Sequence, residues 1–112
     1  MKVYLKRKKS NVDAVADFDP INKGITVLKG SKLSTTIAHT EKFRGAKSIE
    51  KNRAGIVKDN TLLKDISFKS TSTAANFVTG SSTNGLIAWK DSDGRSVKEI
   101  LAAIEDGGML NE

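Results

Sequence analysis

A cluster of small polar side chains, Ser72 and then Ser81, Ser82, Thr83 and Asn84, lies in the segment STSTAANFVTGSSTNGLIAWKDSDG over residues 70–94. Hydroxyls and a carboxamide both donate and accept hydrogen bonds, so the set suits recognition of a polar ligand at an exposed loop. The same residue types also build turns and helix caps. Motifs for metal or covalent chemistry fail on spacing. Asp91, Asp93 and Gly94 fit positions three, five and six of an EF-hand loop, but Trp89 and Ile100 then fall at positions one and twelve, where calcium requires oxygen. Five residues separate Gly24 from Gly30 and Ser31 precedes Lys32, whereas a Walker loop has four between its glycines and puts lysine before the hydroxyl. The Gly30-Ser31 turn can still offer backbone N–H groups to an anion. His39 is the only histidine and is read as a loop residue, with no serine–histidine–carboxylate pattern around it. The close carboxylate pairs, Asp91/Asp93 and Glu105/Asp106, fall at turns or helix ends. The residues therefore read as a non-catalytic chain with no cofactor and no metal site.

A chain of 112 residues with 38% hydrophobic and 29% charged side chains has the composition of one globular domain with a modest core. The absence of cysteine excludes disulfides, thiolate metal sites and a cysteine nucleophile, and fits the cytoplasm. No apolar run has the length of a signal-peptide core or a membrane span, so an unexported, unembedded protein is expected. The net charge of +6 is uneven: residues 1–56 carry 13 Lys/Arg against 5 Asp/Glu, and residues 57–112 carry 6 against 8. One basic face is the expectation, and with it attraction toward polyanions such as nucleic acid.

The elements that must position these side chains follow from periodicity. KVYLKR alternates as a half-exposed strand with edge-like lysines, and VDAVADF puts Val12, Ala14, Ala16 and Phe18 on one face. Asp19-Pro20 opens a turn to Lys23-Gly24, and GITVLKGS completes the strongest hairpin, with KLSTTIA as an extension. AKSIEKNRA spaces Ala46, Ile49 and Arg53 along one side of a short surface helix ending near Gly55. NTLLKDISF reads as one strand burying Leu62, Ile66 and Phe68. Ser70 caps a helix carrying Ala74, Phe77 and Val78 that Gly80 ends, LIAWK reads as a strand, and DSDG turns the chain. Ser96-Val97-Lys98-Glu99 is a capping box for a last helix striped by Val97, Ile100, Leu101 and Ile104 and stopped at Gly107-Gly108, with a frayed tail over 107–112. The fold class is α+β, a mostly antiparallel sheet with two or three short helices on one face, in a single domain over 1–112 whose residues 1–10 form a basic first strand.

Ser70 to Gly80, then Ser82, Asn84-Gly85 and Trp89-Lys90, resemble the SPSAAAxFVxGRSxNGWxxWK signature of a bacterial domain family of unknown function often found C-terminal to GIY-YIG nuclease domains. VDAVADF with GITVLKGS, and DGRSVKEI downstream, are similar to further segments of that family, so the likeness spans roughly residues 11–104. Thr71, Ser81 and Leu86 stand where that signature has Pro, Arg and an aromatic. The signature is more distantly similar to the restriction-enzyme adenine-methylase-associated domain. The resemblance implies nucleic-acid binding, DNA more than RNA, in support of a nuclease or restriction–modification system.

On that reading Lys29, Lys32 and Arg44 of the basic half hold phosphates, while Ser31, Ser72, Ser81, Ser82, Thr83 and Asn84 offer donors to base edges. The run Lys6-Arg7-Lys8-Lys9 can contact phosphates, although a terminal charge run of this kind is more often simply solvated. The rival expectation is a protein-interaction module that docks on a nuclease or methylase through apolar or edge-strand surface. The hydroxyl and glycine residues around Trp89 also admit a purely architectural reading, with SSTNG as the part exposed enough to touch something.

Overall fold

The computed structural model describes residues 1–39 and 45–105. Strands β1 (Lys2–Arg7), β2 (Val12–Phe18) and β3 (Ile25–Val27) are followed by helix α1 (Ala46–Arg53). Then come β4 (Val57–Lys58), β5 (Thr61–Leu62), β6 (Ile66–Phe68) and helices α2 (Thr71–Thr79), α3 (Gly85–Ala88) and α4 (Val97–Glu105). The main sheet runs β1-β2-β3-β6, antiparallel throughout, and β4-β5 form a separate two-stranded ribbon. The α+β class is as expected.

The register accounts for a one-sided core. Val3, Ala16, Val27 and Ile66 lie in one row, Leu5 with Ala14 in a second, and Phe18, Ile25 and Phe68 in a third, all on one face because side chains alternate along a strand. Helix α2 packs on that face with Ala74, Ala75, Phe77 and Val78 buried, the two alanines lying at 0% exposure so that the helix approaches closely. On the opposite face Tyr4 and Val15 lie between two charged pairs: Lys2 pairs with Asp17 and Lys6 with Asp13 across β1–β2, and Thr26 meets Ser67 through their hydroxyls at 2.7 Å. Opposite charges thus face each other across these strands.

The capping signals hold. Ser70 Oγ accepts the Thr73 N–H at 3.1 Å, and Gly80 closes α2 in the left-handed region at φ 73°. A side chain at Gly80 would also overlap the Thr36 carbonyl. At α4, Ser96 Oγ accepts the Glu99 N–H at 3.2 Å while Glu99 Oε1 accepts the Ser96 N–H at 3.3 Å, the reciprocal capping box. The Asp19–Gly24 turn forms as expected, with the Asp19 carboxylate accepting the Ile21 N–H at 2.8 Å. His39 is an exposed loop residue beside Glu50, 3.3 Å away.

Four expectations are corrected. The β1–β2 hairpin, with six paired positions against three for β2–β3, is the more extensive one. KLSTTIA does not extend the sheet as a strand over its described residues; Lys32 makes only isolated bridges to Asp13 and Thr61. NTLLKDISF is two strands in different sheets, because Asp59 and Asn60, both at positive φ, fold Thr61-Leu62 back on Val57-Lys58. LIAWK is not a strand: Asn84 Oδ1 accepts the Leu86 N–H at 3.0 Å and starts the helical turn α3, leaving Leu86 and Ile87 exposed. The expected stop at Gly107-Gly108 and the tail lie outside the described residues.

Arg53, read as one side of a surface helix, turns inward. Its guanidinium donates from Nε and Nη2 to the Phe77 carbonyl at 3.1 and 2.7 Å, and from Nη1 to the Ser34 carbonyl at 3.0 Å. It thereby closes the C-terminal end of α2.

Candidate nucleic-acid interface

The hydroxyl and amide residues fall into two groups. Buried Ser31 accepts the Val15 N–H at 3.0 Å and donates to the Val15 carbonyl at 3.2 Å, tying a loop to β2. Ser72 Oγ accepts the Gly85 N–H at 3.0 Å, joining α2 to α3. Thr83 shares a 2.8 Å hydroxyl contact with Thr79, and its N–H donates to Asn76 Oδ1 at 2.8 Å. These three side chains hold backbone in place. What the loop leaves open is the Ser81 and exposed Ser82 hydroxyls, unpartnered among the described residues, and the amide nitrogen of Asn84, whose oxygen caps α3.

A groove of about 830 Å³ opens beside that loop. One wall is β1, with Tyr4, Lys6 and Arg7; the other is Ser82, Thr83 and Asn84 with Ile87, Ala88 and Lys90; the turn at Asp91, Ser92 and Gly94 closes one end. The groove exists because Lys90 pairs with Tyr4, the Tyr4 N–H donating to the Lys90 carbonyl at 2.7 Å and the Lys90 N–H to the Tyr4 carbonyl at 3.0 Å. That bridge draws the far end of the loop segment against the first strand.

Of the expected site residues, Ser82, Thr83 and Asn84 therefore meet Lys6 and Arg7 of the N-terminal basic run. Lys29 and Lys32 are exposed but stand outside the groove, as do Ser31 and Ser72, and Ser81 does not line it. Arg44 lies outside the described residues. Sequence reasoning missed Tyr4 and Lys90 as groove residues. Tyr4 carried a signal as the one aromatic in the basic first strand, whereas the Tyr4–Lys90 bridge spans most of the chain and has no local signature.

The acidic member of the lining is already engaged. Asp91 Oδ1 accepts the Arg95 N–H at 2.9 Å and the Asp93 N–H at 3.0 Å, and Oδ2 meets Arg95 Nε at 2.9 Å. The Arg95 backbone N–H, and then its side chain, hold the Asp91 carboxyl below the ordinary 3.8. A carboxyl depressed in the folded state contributes stability above its unfolded value and loses it as pH falls through the lower folded value. Wild-type protein is accordingly expected to melt progressively more easily as pH drops below 3.8, and D91N to be less stable at neutral pH with a flatter acid limb in thermal melts.

With this acid offset by Arg95, Lys6, Arg7 and Lys90 leave the groove net positive. Among the described residues no group of three His, Cys, Asp or Glu side chains stands close enough to hold a metal ion, and no helix is long and apolar enough to cross a membrane. No curated protein and no solved structure matches the chain. Residues 5–101, from within β1 to within α4, match the family described as a domain of unknown function (DUF4357), and the chain belongs to that family.

Proposed function

We propose that the chain is a cytoplasmic, non-catalytic accessory module that binds nucleic acid, DNA in preference to RNA, in support of a nuclease or restriction–modification enzyme. The observation that carries this reading is the convergence of Lys6, Arg7 and Lys90 with Tyr4, Ser82 and Asn84 in one groove. Cations in a concave site attract a phosphate backbone, and the hydroxyl and amide donors beside them can meet base edges. The net charge of +6 favours the same partner, and the lack of cysteine fits a reducing compartment. The resemblance to domains that accompany GIY-YIG nucleases and to the adenine-methylase-associated domain supplies the context and the preference for DNA.

Anisotropy titration of labelled DNA at low salt tests the reading. Three phosphate contacts are expected to give a log–log salt slope of about −2 to −3, and reversing Lys6 and Arg7 together (K6E/R7E) to weaken binding by about tenfold or more. Reversing Lys29 and Lys32, which stand outside the groove, is the comparison arm and is expected to do much less. Absence of any DNA or RNA binding at low salt would overturn the function.

A second reading is favoured by Ile87, 53% exposed on the groove wall, with Leu86 beside it at 38%. An apolar pair at a rim suits a protein partner, here a nuclease or methylase. On that reading charge reversal at Lys6 to Lys9 leaves partner binding intact, while I87D abolishes it.

A further inference from the structure

We propose, resting on the nucleic-acid reading above, that the groove accepts one unpaired base of a single strand and that the backbone of Lys6 reads its edge. The pairing along the edge of β1 breaks off after Tyr4. Tyr4 exchanges both of its backbone hydrogen bonds with Lys90. N–H and C=O groups two residues apart on a strand point to the same side, so those of Lys6 point the same way. Continuing the antiparallel pair would set Ala88 opposite Lys6, but Ala88 closes α3 and donates its N–H to the Asn84 carbonyl at 2.9 Å. Among the described residues, Lys6 meets no backbone partner on that side. One donor and one acceptor are left side by side in a groove that Lys6, Ala88 and Ile87 all line.

Each nucleobase presents a hydrogen-bond donor and acceptor close together on its pairing edge, the complement of one open N–H and C=O pair. Tyr4 supplies a half-buried aromatic ring on which a base can stack, and Ile87 supplies apolar contact from the other wall. Arg7, Lys90 and the Lys6 ammonium are placed to hold the flanking phosphates. An intact duplex keeps its pairing edges engaged and out of reach of such a site. An extended peptide fits less well, because strand addition gains from several alternate ladder positions. Here only Lys6 is open, between the Tyr4–Lys90 bridge and the turn in which the Asn11 N–H donates to the Lys8 carbonyl at 3.3 Å. The three cations on the groove also favour a polyanion over a neutral chain.

The test compares a short oligodeoxynucleotide, a duplex of the same sequence and a strand of abasic sites of equal length. The single strand is expected to bind about tenfold tighter than either, and Y4A to remove about that factor for the single strand. The amide of Lys6 is expected to shift in the NMR spectrum on adding the oligonucleotide, a readout that needs no variant. Equal affinity for single strand, duplex and abasic strand would overturn this inference and leave the nucleic-acid function standing. Binding of none of the three would overturn both. A Lys6 amide that responds to a neutral, extended seven-residue peptide of about strand length and not to the oligonucleotide would overturn the inference in favour of strand addition.

Discussion

Replacing Gly85 by alanine is expected to destabilise the protein by about 3 kcal/mol or more, read as a lowered midpoint in urea and heat unfolding. In the sequence, Asn84-Gly85 looks like a turn whose glycine provides backbone freedom. The folded position asks for something else. A side-chain carbon on Gly85 would overlap the carbonyl carbon and oxygen of Thr71 and the amide nitrogen of Ser72, all backbone atoms of the first turn of α2. Backbone cannot swing aside as a flexible side chain can, so α3 must lift off α2. That movement works against the bond from the Gly85 N–H to Ser72 Oγ at 3.0 Å and the one from the Trp89 indole N–H to the Thr71 carbonyl at 3.1 Å. Trp89 is fully buried, so displacing its ring opens the core where the two helices meet. G30A provides the comparison. Gly30 has φ 91° with nothing within 4 Å, so only backbone strain of about 1 to 2 kcal/mol is expected there. If G85A costs no more than G30A, the close approach does not constrain the fold.

The same residues explain what was legible beforehand and what was not. Ser70, Gly80 and Ser96-Glu99 act within a turn of themselves, and local hydrogen bonds are a function of local sequence, so these helix ends were readable. The alternation of VDAVADF was readable for a related reason, since one face of β2 is wholly buried and a period of two records that directly. LIAWK fails because a short apolar run has no intrinsic period, and whether it lies flat or coils is settled by Asn84 capping the turn and by the Thr71 carbonyl claiming the Trp89 indole. The correction reaches the candidate site. Had LIAWK been a strand it would have filled the edge beside Lys6, and the coiling of Gly85–Ala88 is what leaves the groove open. The small polar residues were legible as a group but not by role. Nothing in the types Ser31, Ser72 and Thr83 distinguishes a hydroxyl engaged within the fold from the exposed one at Ser82, because the partners of those hydroxyls, Val15, Gly85 and Thr79, are set by the packing.

Replacing Arg53 by alanine is expected to cost about 3 kcal/mol, with no change at the nucleic-acid groove, which Arg53 does not line. A helix leaves its last carbonyls without intrahelical partners, and Arg53 answers this for α2 from outside by donating to the Phe77 carbonyl and, at 3.5 Å, to that of Val78. The same guanidinium donates to the Ser34 carbonyl and, at 3.0 Å, to Ser34 Oγ, so one planar group ties α1, α2 and the loop after β3 together. It lies 5.8 Å from the centre of the Phe77 ring, within reach of a cation–π contact. Its charge also opposes the negative end of the helix dipole. Among the described residues no carboxylate lies within salt-bridge distance, and burial lowers the basicity of the guanidinium from its ordinary value. The group therefore remains in place through neutral hydrogen-bond acceptors and not through ion pairing. This predicts weak salt dependence for its contribution, in contrast to binding at the groove. R53K separates geometry from charge, because one ammonium cannot reach the Phe77 and Ser34 carbonyls as a rigid fork does, and about 2 kcal/mol of the loss is expected to persist. Full rescue by lysine in urea unfolding would show that a positive charge near the end of α2 suffices and that the fork is not required.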